Sequence, residues 1–205
     1  MSVVKINRGM ISLAWAASIP VAWFIVALLL DQGPLQQQRS TSLTRYGALL
    51  GSDFVLSESW RLIASQWLHV NFKHMIFNAL IIASAGFALE RWMRGTTVLM
   101  LGTAGGAVAQ WTTVRLHPAE YISGASQAYL VLCGMLLAIA FESKGRHLFS
   151  IAVSVVGISV AITLDIVISD HHAIKAGHLT GLVFGLTVGA LLVVADRRRR
   201  GPEIR

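Results

Sequence analysis

The chain has 205 residues, 55% of them hydrophobic and only 13% charged, with 17 basic against 10 acidic side chains and a formal net charge of +7. A soluble domain carries about 25% charged residues and a disordered chain needs low hydrophobicity with high charge. A mean hydropathy of +0.64 therefore excludes the second class and argues against the first. The basic excess lies between long apolar runs, so it reports membrane topology rather than nucleic-acid binding. The single cysteine, Cys133, forms no intramolecular disulfide and reads as a small core residue.

A helix needs roughly 20 mostly apolar residues to span a bilayer. Six segments reach or approach that length: 12–30, 74–89, 96–114, 126–141, 147–168 and 176–195. The first follows Lys5 and Arg8 as a signal peptide would. Its run is long, however, and no small-x-small site follows, so it reads as a retained helix. The connection 31–73 mixes polar and apolar stretches and is expected to fold onto the membrane. Within it, Trp60 and Arg61 read as interface anchors. The second segment opens on His74 and Asn78 and ends at Glu90, Arg91 and Arg94, a salt-linked cap. The fourth opens on Ser126. The fifth carries Asp165 near its outer end, where the carboxylate is expected to reach the interface. The sixth carries Gly177, Gly181, Gly185 and Gly189, a smooth stripe for close helix approach. The stripe is expected to pack on Ala128, Gly134 and Ala138 of the fourth segment. The tail 196–205 holds Arg197 to Arg200, a stop-transfer and anionic-lipid contact or a solvated end.

Short cytoplasmic loops retain Lys and Arg. With both termini inside, the inner segments hold eleven basic residues, among them Lys5, Arg8, Lys144, Arg146 and Arg205; the outer segments hold six. The fold class is therefore an all-α membrane protein, with 1–205 forming one six-helix domain and both termini cytoplasmic.

Polar side chains inside spans are costly and point to function. In this topology His74, Asn78, Ser126 and His178 lie at one depth, just below the outer surface, on three different helices. A serine hydroxyl needs an adjacent base to act as a nucleophile, and neutral histidine serves near pH 7. Ser126 and His178 thus form a candidate catalytic dyad. Taken singly, Ser126 reads as a helix N-cap and His178 as a helix–helix hydrogen bonder. No orienting carboxylate is evident beside His178 except Asp170. His74 and Asn78 share one helix face; with the Ser126 backbone N–H they form a candidate oxyanion hole. The cluster His171, His172 and His178 lacks a standard ligand spacing, so neither a metal nor a cofactor is expected.

Three motifs carry a resemblance to the rhomboid family of intramembrane serine proteases. They are His69-Val-Asn-Phe-Lys-His74-Met-Ile-Phe-Asn78, Gly124-Ala125-Ser126 and Gly177-His178-Leu-Thr-Gly181, with Trp60-Arg61 similar to a pair in the family's first loop. The resemblance implies a six-helix bundle with a wet cavity open to the outer side. It implies Ser126 as nucleophile, His178 as base, and His74, Asn78 and the Ser126 amide as oxyanion donors. It also implies single-pass membrane proteins as substrates, with helices that unwind near the outer surface. Two positions depart from the family pattern. Gln127 replaces the glycine after the serine and is expected to point about 100° away on a helix. Leu130 stands where the family often places an aromatic that packs on the histidine. The rival readings are a catalytically silent rhomboid-like protein that binds membrane segments, and a small transporter. A bacterial inner membrane is the expected location.

Overall fold

The computed structural model describes residues 9–142, 147–168 and 172–200. Lys5, Arg8, Lys144, Arg146, Asp170, His171 and Arg205 lie outside the described residues. Among the described residues six long helices are formed: α1 (Met10–Leu29), α2 (Phe72–Leu89), α3 (Gly95–Leu116), α4 (Ser126–Glu142), α5 (Leu148–Thr163) and α6 (Ala176–Arg200). Backbone groups in hydrocarbon must bond within their own segment, and helices do so locally. Four of these helices are long and apolar enough to cross a bilayer, namely α1, α2, α6 and α5 continued to Val167. α3 is long but diluted by Gly, Thr and Gln, and α4 has 17 residues.

Large apolar side chains point outward: Leu28 is 79% exposed, Leu148 78% and Phe141 72%. A monomer in water rarely presents so continuous an apolar surface, whereas lipid solvates it. α4 is the central post. Its residues from Ser126 to Leu136 are buried without interruption. α2, α3, α5 and α6 surround it, and its most extensive contact is with α6. A Cβ on Gly134 would meet the backbone of Leu182 and Gly185, and one on Gly189 would meet Ala138, so the small-residue seam forms as expected. Ala128 is the exception, because its methyl faces Gly106 on α3.

Two local expectations are corrected. Glu90 is not paired into a cap with Arg91 and Arg94. Its carboxylate accepts from Gly9 N at 2.6 Å, Ser12 N at 2.7 Å and Ser12 Oγ at 2.6 Å. It therefore caps the N-terminus of α1, where the helix dipole favours an anion. Replacing Glu90 by alanine is expected to cost about 2–3 kcal/mol through lost charged hydrogen bonds and stranded donors. Thermal unfolding in detergent would read this loss, and an unchanged midpoint would refute the capping role. Arg61 does not extend as a free anchor. It donates to Thr44 O at 2.6 Å, pairs with Glu58 at 3.0 Å and stacks on Trp60, 4.8 Å from the ring centre. It thus ties the connection 31–73 together. α6 runs helical to Arg200, past its expected end at 195, and Arg197 Nε donates to Glu142 Oε1 of α4 at 2.7 Å.

The connection 31–73 is folded rather than loose, as expected. Short helical turns at Ser40–Leu43 and Arg61–Ala64 flank strand β1 (Leu49–Leu50). β1 pairs antiparallel with β2 (Tyr121–Ile122), Leu49 opposite Ile122. Leu49, Ile122 and Val114 bury together beneath this ribbon. The connection is thereby fastened to the segment that leads into α4.

Candidate active site

Ser126 is delivered by a clamped turn. Gly124 adopts φ +113°, a left-handed conformation that side-chain-bearing residues rarely adopt. Its N–H donates to Ser65 O at 2.9 Å, and its carbonyl accepts from Gln110 Nε2 at 3.3 Å. Ser65 Oγ in turn donates to Gln110 Oε1. The Ala125 carbonyl accepts from Tyr129 N–H at 2.9 Å, so Ala125 starts the helix ladder. Ser126 is the next residue, and its hydroxyl does not serve as the N-cap.

The hydroxyl instead faces α6. Ser126 Oγ lies 2.7 Å from His178 Nε2, and His178 Nδ1 lies 2.7 Å from Asp165 Oδ2. The same carboxylate oxygen accepts the Lys175 backbone N–H at 2.9 Å. Ser126 is 4% exposed, His178 9% and Asp165 1%. A carboxylate only accepts, so Nδ1 carries a proton, and in the neutral ring Nε2 then presents its lone pair to the serine O–H. Asp165 therefore does not reach the interface as its position suggests. It lies in a π-helical turn, Leu164–Ile168, which ends the fifth helix and turns the carboxylate inward. Sequence reading left His178 without an acid. The available signal was that Asp165 is the one acid well inside an apolar run, and such acids are rarely idle.

His69 is a second residue that motif reading named without a role. Its Nδ1 donates to Trp67 O at 3.3 Å, which leaves Nε2 to accept from Asn78 Nδ2 at 2.8 Å and from Ala125 N–H at 3.3 Å. One imidazole thus braces both the Asn78 amide and the turn before the serine. Burial, reinforced by His74 beside it, pushes the His69 ring down to about 3 against an ordinary 6.5. An unfolded chain binds this proton below pH 6.5, whereas the native state excludes it until about pH 3. The native state is therefore favoured above that window and loses stability as pH falls through it. Thermal midpoints at pH 7.5 and 5 are expected to diverge, and His69→Gln should narrow the gap.

His74 packs edge-on against His69, ring centres 5.7 Å apart, and its Cε1 lies 3.7 Å from where a Gly124 Cβ would sit. His74 and Asn78 therefore border the turn that bears Ser126. Gln127 differs from expectation. Its long side chain curls back, placing Oε1 3.4 Å from Ser126 Oγ and Nε2 beside Gly177. Leu130 is buried in the core, and Tyr129 sets its ring edge-on to Phe77 at 6.0 Å.

A hydroxyl bonded to an imidazole, with amide and ring donors nearby, is suited to acyl transfer. The apolar surface and spanning helices make this an integral membrane protein. The chain belongs to the rhomboid family: the family model "Rhomboid domain" matches residues 56–195, which contain every residue of the site. It is similar to "Rhomboid protease GluP" of Bacillus subtilis, 28% identical over 151 residues, covering 74% of this chain and 29% of that protein. It is similar to "RHOMBOID-like protein 6, mitochondrial" of Arabidopsis thaliana, 29% identical over 176 residues, covering 80% and 54%. It is also similar to "Rhomboid-like protease 2" of Toxoplasma gondii, 24% identical over 183 residues, covering 85% and 62%. The chain spans less than two thirds of each of these three relatives.

Proposed function

We propose that this chain is a serine endopeptidase that cleaves transmembrane segments near the outer face of the bilayer. The observation that carries the reading is the 2.7 Å approach of Ser126 Oγ to His178 Nε2. All six helices cross the membrane in this reading, both termini are cytoplasmic, and the membrane is a bacterial inner membrane. His178 Nε2 takes the hydroxyl proton as Ser126 Oγ attacks the peptide carbonyl. The developing oxyanion is stabilised by the His74 ring N–H, the Asn78 amide and the Ser126 backbone N–H. His178 then gives its proton to the leaving amine, and water, activated by the same base, hydrolyses the acyl-enzyme. The substrates are single-pass membrane proteins. Amides in an intact helix are hydrogen-bonded, so segments weakened by Gly or Pro are cleaved preferentially.

The test is fluorophosphonate labelling of the purified protein in detergent, with cleavage of a single-pass membrane substrate in proteoliposomes. Label and cleavage are expected in the wild type and absent in Ser126→Ala. Folded wild-type protein that neither labels nor cleaves would favour a silent, membrane-segment-binding rhomboid-like protein.

A further inference from the structure

We propose that Asp165 is a positioning residue, which holds the His178 imidazole in its reactive tautomer and balances the charge that ring acquires. This inference rests on the reading of Ser126 and His178 as the catalytic pair, and extends the pair to a triad. Four observations converge on it. The Asp165 carboxylate is 1% exposed at the end of an apolar helix, a placement that is costly without partners. Its partners are His178 Nδ1 at 2.7 Å and the Lys175 N–H at 2.9 Å, both on Oδ2. The second is backbone, so it pins the carboxylate whatever the side chains do. The helix makes a π turn over Leu164–Ile168, a rare geometry often found at functional sites. Finally, no aromatic stands four residues after the serine: Leu130 is there, and the Tyr129 ring packs on Phe77 instead. The imidazole is held from its far side, by an acid.

The proton balance is closed. The Ser126 proton moves to Nε2 as the Oγ–carbon bond forms. Nδ1 keeps its own proton throughout, and Asp165 stays ionised beside the imidazolium. When the peptide C–N bond breaks, the Nε2 proton leaves with the amine. Asp165 touches neither substrate nor the reacting atoms; it acts through His178.

Two variants separate orientation from charge. Asp165→Ala removes both. Asp165→Asn keeps an acceptor, because the Lys175 N–H can only donate and so selects the amide oxygen at that position. Fluorophosphonate labelling is expected to slow about 10²-fold or more in Asp165→Ala, with Asp165→Asn between it and the wild type. Nitrogen NMR of histidine-labelled protein in detergent supplies the second readout, with the His178 signal assigned by its loss in His178→Asn. The wild type and Ser126→Ala should both show the neutral ring protonated at Nδ1. Asp165→Ala should show mixed tautomers, and Asp165→Asn should keep the wild-type form. Wild-type labelling together with an unchanged rate and tautomer in a folded Asp165→Ala protein would overturn the role of Asp165 and leave the protease reading standing. Absent labelling in the wild type would instead overturn the protease reading. The tautomer in Ser126→Ala would still report whether Asp165 orients the ring.

Discussion

Replacing His178 by alanine is expected to lower labelling and substrate cleavage by about 10⁴- to 10⁶-fold, the scale seen when a nucleophile's base is removed. Without Nε2 at 2.7 Å the Ser126 hydroxyl has no adjacent base, and an alcohol is a poor nucleophile near neutral pH. Because the two groups act as a unit, Ser126→Ala, His178→Ala and the double variant should be about equally inactive. The alanine variant also takes one of two hydrogen bonds from the buried Asp165 carboxylate, at a cost of about 1.5–3 kcal/mol. His178→Asn separates these effects: its amide can still donate to Asp165 Oδ2 but cannot act as a base. It should unfold at a higher temperature than His178→Ala and remain inactive. Near-wild-type labelling in either variant would remove His178 from the mechanism.

Gly185→Ala should damage the site from a distance. A Cβ at position 185 would collide with Val131 O and sit 2.8 Å from Val131 C, both main-chain atoms of the central helix. No rotamer relieves such a clash, so α4 and α6 must move apart. Overpacking of this kind costs about 1–3 kcal/mol. The larger effect is geometric. Ser126 is on α4 and His178 on α6, two turns from Gly185, and a displacement of about 1 Å at a reacting pair can cost about 10²-fold in rate. Labelling kinetics and the thermal midpoint should both fall. Leu191→Ala on the lipid-facing side, where Leu191 is 63% exposed, should leave the rate unchanged. A Gly185→Ala protein with wild-type kinetics would show that the close seam does not hold the pair in register.

The long helices were legible from apolar runs, because a chain in lipid has few other ways to satisfy its backbone. Each described helix lies within a few residues of its expected bounds, apart from α6, which continues to Arg200. The meeting of Ser126 and His178 was anticipated from shared depth and from a glycine stripe aimed at the helix that bears the serine. Residues whose partners lie far along the chain were misread. Glu90 looked like the partner of adjacent arginines, but its donors are Gly9 and Ser12, about eighty residues away. Asp165 looked like an interfacial acid, because periodicity cannot announce a π turn. Gln127 diverges at its backbone as helix geometry requires, and returns only through the conformation of its side chain.

The sequence by itself determined the membrane class, the helical segments and the chemically capable side chains, since these follow from solvation costs and residue types along one dimension. Tertiary structure decided which donor meets which acceptor. It set His69 between Asn78 and the serine turn, and it brought an acid to the far nitrogen of His178. Hydrogen bonds depend on ångström-scale position and direction, and only the packed helices supply those.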